Sequence, residues 1–217
     1  MLERYTTILN TIKEICPTAH IAGGAVRDSL LERPIKDVDL FLDVGYTDEA
    51  AALMRSQFGF VKVGEWKSYE MFSDPAVARV AKFEKADETI PVCLIGLMPL
   101  ALGLRGMQAN LERFDFGICM AAWDGNEVYT AYQYKRDVEQ KTFTLRRADD
   151  QQQFNYSRSR FDKMTADRYA GWRLVVPQEF GALEREYTFR KNFYFDDEAG
   201  GFVFRDCGPQ LLTPKAR

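Results

Sequence analysis

Between Gly23 and Asp39 the chain sets a Gly-Gly pair, a basic residue and two aspartates one residue apart inside a stretch bounded by apolar runs. That pattern restricts the local fold to an apolar strand, a tight turn, a short helix and a second buried strand. Ile21-Ala22 leads into Gly23-Gly24, the segment Ala25 to Glu32 predicts a helix ended before Pro34, and Val38 to Val44 predicts a strand. Without a Cβ, Gly23 and Gly24 let backbone N–H groups approach an oxyanion closely. Arg27, at the start of the predicted helix, adds a charge-assisted donor beside the positive helix end. In a strand, Asp37 and Asp39 project from one face, and two carboxylates on one face suit Mg²⁺. These residue types point to a nucleoside triphosphate and its metal.

Each of these residues also has a plainer reading. A Gly pair alone makes a turn without a ligand, but the Arg27-Asp28 and Asp37-Val38-Asp39 that follow favour the ligand. Asp37 and Asp39 lie against an apolar run where uncompensated carboxylates are costly, which favours a metal over a loop cap. Arg27 and Asp28 fit either an ion pair that orients the turn or a phosphate contact; the pairing role goes to Asp28 and the phosphate to Arg27. Lys36 reads as a solvent charge. His20, the single histidine, is assigned no role.

The run Ile21-Ala22-Gly23-Gly24-Ala25-Val26-Arg27-Asp28-Ser29-Leu30-Leu31, followed by Asp37-Val38-Asp39-Leu40, resembles the head-domain signature of the poly(A) polymerase and tRNA CCA-adding family, which belongs to the polymerase-beta-like nucleotidyltransferases. In that family the strand after the Gly-Gly helix carries two metal-binding aspartates. Its next catalytic strand carries a third carboxylate in a context like Arg-Asp-Phe-Thr-Ile-Asn. Arg113-Phe114-Asp115-Phe116-Gly117-Ile118-Cys119 is similar to that segment, with Asp115 as the third carboxylate. Alternation with Phe114 and Phe116 puts Asp115 on a polar face, which the solvent side of an edge strand would also explain. Ser157 to Lys163, leading to Arg168 and Gly171-Trp172-Arg173, resembles the helix on which family members set Arg and Lys against the nucleotide. Arg160 and Lys163, three apart, share a helix face; a solvated basic helix fits them too. The resemblance covers residues 15–175.

The resemblance implies an α+β, polymerase-beta-like nucleotidyltransferase fold, a mixed sheet flanked by helices, over residues 1–175. Residues 176–217 are then a C-terminal extension ending in a small β-hairpin. It also implies two Mg²⁺ ions held by Asp37, Asp39 and Asp115, with Asp115 nearest the nucleophile, and in-line displacement that releases pyrophosphate. Gly23, Gly24, Arg27, Arg160 and Lys163 would contact the nucleotide. The family's Glu-Asp-x-x-Arg base-selecting motif is not evident, which leaves the nucleotide open, and without the long helical body of the CCA-adding enzymes a tRNA elbow is expected to have no obvious seat. The expected activity is therefore a minimal nucleotidyltransferase moving an NMP from an NTP to a hydroxyl on an RNA 3′ end, a protein or a small molecule. A catalytically inactive nucleotide-binding or partner-binding module on the same fold is the competing reading, against which the intact Asp37, Asp39 and Asp115 weigh.

Composition narrows the class further. At 46% hydrophobic and 13% aromatic the chain has ample material for a core. A net charge of -3 argues against a general basic surface for nucleic acid. Residues 1–100 hold 11 Lys/Arg against 15 Asp/Glu, whereas residues 135–173 hold 10 against 6, so a local basic face is either a contact surface or an ordinary solvated one. Cys16, Cys93, Cys119 and Cys207 lack Cys-x-x-Cys spacing, which disfavours zinc and disulfides. No signal peptide or membrane-length apolar run is evident, and a cytoplasmic protein is expected.

Along the chain, Leu2 to Ile15 predicts an amphipathic helix stopped by Pro17, and Thr47-Asp48-Glu49 predicts the cap of a helix through about Phe58. Strands are predicted at Phe60 to Val63, Tyr69 to Phe72, Val77 to Phe83, Ile90 to Leu97 and Phe114 to Ala122. Asp124-Gly125-Asn126 turns the last of these into Glu127 to Tyr132. A helix or helix pair is predicted from Gln151 to Tyr169, and a hairpin from Tyr187 to Arg205.

Overall fold

Alternation in strand β2, Val38–Asp43, decides which way the central sheet faces. Val38, Leu40 and Leu42 are buried in the main core, so Asp39 and Phe41 project from the other side. The computed structural model describes residues 2–66, 74, 76–98, 107–196 and 201–204, with side chains through residue 188. Among these the sheet has seven strands in the order β3-β4-β5-β2-β1-β6-β7. The strands are β1 (His20–Ala22), β3 (Val61–Trp66), β4 (Val77–Lys85), β5 (Glu88–Leu97), β6 (Ala121–Trp123) and β7 (Val128–Thr130) around β2. β2 and β5 run parallel, with Asp39 level with Cys93; the other pairs are antiparallel. The expected mixed sheet flanked by helices is what the chain forms.

Helices α1 (Thr6–Ile15) and α3 (Thr47–Ser56) cover the core face. Ile8, Leu9 and Ile12 from the first, and Ala50, Ala51 and Met54 from the second, fall at helical spacing and are buried. Each buried Ile, Leu or Met among them contributes about 1.5–3 kcal/mol relative to exposure, and each Ala less. Helix α2 (Gly24–Leu30) follows β1 directly. On the opposite face, Ala22, Phe41, Leu111, Met120 and Ala122 make a smaller cluster over part of the sheet, with Leu111 supplied by the short helix α4 (Met107–Leu111).

Three predicted elements differ. Phe114 to Ala122 is not one strand: Gly117–Cys119 is a 3-10 turn and pairing resumes only at β6. The break is tertiary in origin. Gly117 passes so close to Gln133 and Asp137 that a Cβ there would lie 2.2 Å from Gln133 Cγ and 2.7 Å from Asp137 Oδ2, and those residues belong to a helix not foreseen, α5 (Tyr132–Gln140). Asp137 is fully buried and accepts from Gln133 Nε2, Thr142 Oγ1 and both the amide and hydroxyl of Thr144, which fixes α5 to β8 (Thr142–Thr144). Thr47 does not cap its helix; its hydroxyl donates to the Val44 carbonyl at 2.8 Å. The C-terminal hairpin is present as β10 (Phe193–Asp196) and β11 (Gly201–Phe204), but α7 (Gly181–Asn192) occupies the first residues assigned to it. The predicted strand Tyr69 to Phe72 lies outside the described residues. Helix α6 (Gln151–Ala166) begins at an Asp150 side chain that accepts the Gln153 amide, and β9 (Arg173–Val175) follows it, pairing with β8. No helix among the described residues is long and apolar enough to cross a membrane.

Candidate active site

The turn into α2 is set by one glycine. Gly23 has φ +78°, and its N–H donates to the Ala121 carbonyl at 2.8 Å. A Cβ there would lie 2.8 Å from Phe114 Cε1, so the phenyl ring closes over this residue. Gly23 is thus required by conformation and contact, and its amide is already committed to the sheet. Gly24 is different: φ is not positive, and a Cβ would meet only Arg27 Nη2, at 3.7 Å. Of the pair, Gly24 is the one whose amide, in the first helical turn, lacks an intrahelical partner.

Arg27 is not free for a phosphate. It is only 2% exposed, and Nε donates to Asp28 Oδ1 and to the Tyr169 hydroxyl, each at 2.7 Å. Nη2 lies 2.7 Å from Asp28 Oδ1, Nη1 contacts Cys119 Sγ at 3.3 Å, and the guanidinium stands over the Tyr169 ring. Asp28 also takes Arg168 and the Tyr169 hydroxyl. A buried carboxylate between two guanidiniums, with a tyrosine completing it, joins α2 to the end of α6. Asp28 has the orienting role expected of it, and Arg27 shares that role. The sequence did not reveal Arg168 and Tyr169 as their partners, because they lie some 140 residues away and no local pattern connects them.

Asp37 is exposed just before β2, and Asp39 is half-buried on its open face. Asp39, Cys93 and Lys82 stand level across β2, β5 and β4. Burial, and then the Asp37 charge, push the Asp39 carboxyl up to about 7, against the opposing pull of Arg160. Burial and the two aspartates likewise push the Cys93 thiol up to about 12. A raised Asp39 carboxyl beside a second carboxylate fits a divalent cation, whose charge offsets the repulsion.

Asp115 does not complete a three-carboxylate cluster with them. It is 8% exposed, and Oδ2 accepts from Ser157 Oγ at 2.8 Å and from Arg160 Nη1 at 2.7 Å. Its Oδ1 is buried with no hydrogen-bond partner. Among the described residues no three of His, Cys, Asp and Glu gather closely enough to hold a metal ion. The physical reason is Arg160, which satisfies Asp115 from α6 and itself gains basicity from it. Ser157 and Arg160, three apart on one helix face, were a sequence signal for this contact. Lys163, expected beside Arg160 on the nucleotide, stands in solvent one turn further on. Lys36 makes only a surface pair with Asp167 at 3.8 Å. His20 is buried and satisfied: Nδ1 lies 2.8 Å from the Thr18 carbonyl and Nε2 lies 3.0 Å from Asn110 Nδ2. Burial pulls its pKa down, so it is a neutral structural histidine.

With this geometry in place, the comparisons fall into a pattern. The model of the Gabija anti-defense 2 protein family, Gad2, matches residues 2–141. A CCA-adding enzyme of Streptococcus pyogenes serotype M3 (strain ATCC BAA-595 / MGAS315) is 31% identical over 136 residues, 62% of this chain and 32% of that enzyme. Its counterpart from serotype M5 (strain Manfredo) is 30% identical over the same share. The chain therefore spans about a third of the length of these curated relatives. Among solved structures, a CCA-adding enzyme in complex with ATP superposes with a TM-score of 0.56 at 16% identity, over 87% of this chain and 42% of that one. A tRNA nucleotidyltransferase complexed with a primer tRNA and an incoming ATP analog gives 0.52 at 19%, over 83% and 49%. The resemblance to a CCA-adding head domain is borne out, and the fold is that of the polymerase-beta-like nucleotidyltransferases.

Proposed function

Because the chain belongs to the Gabija anti-defense 2 family and carries a frustrated Asp37–Asp39 pair on a nucleotidyltransferase sheet, we propose that it is a Mg²⁺-dependent nucleotidyltransferase moving an NMP from an NTP to a hydroxyl acceptor. The observation that carries this reading is the half-buried Asp39 carboxyl, pushed up to about 7 by burial and by the Asp37 charge, a repulsion that a bound cation relieves. Asp37 and Asp39 would hold Mg²⁺, which when bound neutralises triphosphate charge and polarises the transferred phosphoryl group. The chain's own residues do the rest. Gly24 leaves room beside the first-turn amides of α2, the Arg27–Asp28–Tyr169–Arg168 cluster fixes that turn, and Arg160 pairs with Asp115 while its charge also favours the ionised Asp39. For Asp115 to serve as the third carboxylate of a two-ion site, Arg160 and Ser157 would have to release it. Residues 1–175 act as the catalytic head and 176–217 as an extension in this reading.

The relatives named as CCA-adding enzymes favour an RNA 3′ end as acceptor over a protein or small molecule. Incubation with each α-labelled NTP and Mg²⁺, with total RNA, with protein alone or with small-molecule extract, identifies donor and acceptor together. Asp37→Ala and Asp39→Ala should each abolish transfer and leave the fold intact; full transfer by either variant would sink the proposal.

A second reading is supported by the Arg160 hold on Asp115: a module on the same fold that binds a nucleotide or a partner without turnover, its family name implying action against the Gabija defence. Anti-defence activity retained by an Asp37→Ala, Asp39→Ala double variant would favour it.

A further inference from the structure

Away from the Asp37–Asp39 pair, three segments bring two arginines onto one carboxylate. Asp74, in the segment before β4, receives Arg113 Nε on Oδ2 at 3.1 Å, and Arg147 Nη1 lies 3.3 Å from the same oxygen. Arg113 Nη2, also buried, pairs with Oδ1. Asp74 Oδ1 also accepts the Ala76 amide at 3.0 Å. Arg113 is two residues before Asp115, and the Arg146 amide donates to the Asp115 carbonyl at 2.7 Å, so the arginines are braced beside the wall of the candidate site. The side chains of Arg113, Arg147 and Asp74 are 12%, 17% and 22% exposed, sheltered but reachable from solvent.

The two guanidiniums face two carboxylates of unequal shelter. Asp149 pairs with Arg147 from the outside, but at 60% exposure it is largely screened. Among the described residues, Asp74 is the sheltered carboxylate that both guanidiniums share. Burial and the neighbouring Arg147 pull the Arg113 guanidinium down to about 10, against the opposing charge of Asp149. Paired guanidiniums match the geometry of a planar carboxylate and equally that of a phosphate, and a group with three oxygens and greater charge satisfies donors that a single carboxylate leaves over. We propose that Arg113 and Arg147 form an oxyanion site for a phosphate group, which Asp74 fills from within the chain until a ligand displaces it. The phosphate comes either from a nucleotide or pyrophosphate, or from the backbone of a nucleic acid. The site does not depend on turnover at Asp37 and Asp39.

Inorganic pyrophosphate is the probe, titrated calorimetrically into the full chain with EDTA present so that no cation bridges it to Asp37 and Asp39. Asp74→Asn keeps an oxygen for the Ala76 amide and removes the competing charge, so it should bind pyrophosphate about tenfold tighter than the wild type. Adding Arg147→Ala to that variant should abolish the gain, while adding Asp39→Asn should leave it. Equal binding by wild type and Asp74→Asn, or a gain that survives loss of Arg147, overturns the proposal and makes the cluster a structural ion pair. A folded Asp74→Asn protein, checked by its circular dichroism, is required of each titration; if it is unfolded, Asp74→Ser replaces it in the same comparison. A short single-stranded oligoribonucleotide without a terminal phosphate separates the sources. Gain for the oligonucleotide as well as pyrophosphate assigns a backbone site, and gain for pyrophosphate alone assigns a nucleotide-derived one. Failure of label transfer in the presence of this gain would count against the nucleotidyltransferase reading and not against the arginine site.

Discussion

Arg160 Nη1 holds Asp115 Oδ2 at 2.7 Å, and among the described residues Asp115 does not gather with Asp37 and Asp39 into a three-carboxylate group. The guanidinium stands in for a cation. Arg160→Ala would leave the buried Asp115 with Ser157 as its sole donor, and loss of a charged partner from a sheltered carboxylate costs about 1–3 kcal/mol. Urea unfolding at neutral pH should show that loss. Asp115→Asn in the same background should recover most of it, because the amide needs no counter-ion; no recovery would mean that Arg160 stabilises α6 by packing alone.

Asp39 gives the protein a pH dependence of known sign. Its folded-state carboxyl is raised to about 7, so the folded form prefers the proton more than the unfolded chain does. Its contribution to stability is full at pH values below the ordinary carboxylate range and is lost as pH rises toward and through 7. Melting temperature should therefore decline over this window, and Asp39→Asn should flatten the decline and melt higher than the wild type at pH 8. Mg²⁺ should raise the wild-type melting temperature most above pH 7, where Asp39 is ionised, and leave Asp39→Asn almost unmoved. A Mg²⁺ effect equal in both proteins would place the cation elsewhere.

Arg27→Lys separates bracing from phosphate gripping. Lysine keeps the charge but cannot give Asp28 and Tyr169 the planar fork they share, and a poorly paired buried ion costs about 2–4 kcal/mol. The expected result is a clear drop in melting temperature, with nucleotide affinity in the folded protein little changed. Unaltered melting with weakened affinity would restore Arg27 to the ligand.

The parts of this architecture that were legible in the sequence are those fixed locally. Val38, Leu40 and Leu42 alternate with Asp39 and Phe41, so strand, burial and the face of Asp39 follow from a period of two. What was not legible depends on distant partners. The apolar run from Phe114 reads as a continuous strand until Gly117 meets Asp137, and the polar, tyrosine-rich α5 that supplies Asp137 has no strong apolar stripe of its own. Likewise Arg27 beside a Gly pair reads as a phosphate ligand until Tyr169 and Arg168 close on Asp28 from the other end of the fold. A charge seen in sequence has no direction; only packing decides whether it faces a ligand or a neighbour.

The two adjacent glycines should respond oppositely to the same substitution. Gly23→Ala forces an L-residue into φ +78° and drives its Cβ into Phe114, so destabilisation of about 1–3 kcal/mol is expected from backbone strain, with the ring clash adding to it. Gly24→Ala sits at a helical position with only Arg27 Nη2 near by, so stability should hold or rise slightly through helix propensity. If a triphosphate approaches the first-turn amides of α2, that same methyl group obstructs it. Gly24→Ala should then bind NTP several-fold more weakly while melting like the wild type, a combination no purely structural glycine would give. Melting curves and NTP titrations on the two variants decide it: full affinity in Gly24→Ala would remove the Gly pair from the nucleotide site and leave it as the turn that lets β1 enter α2.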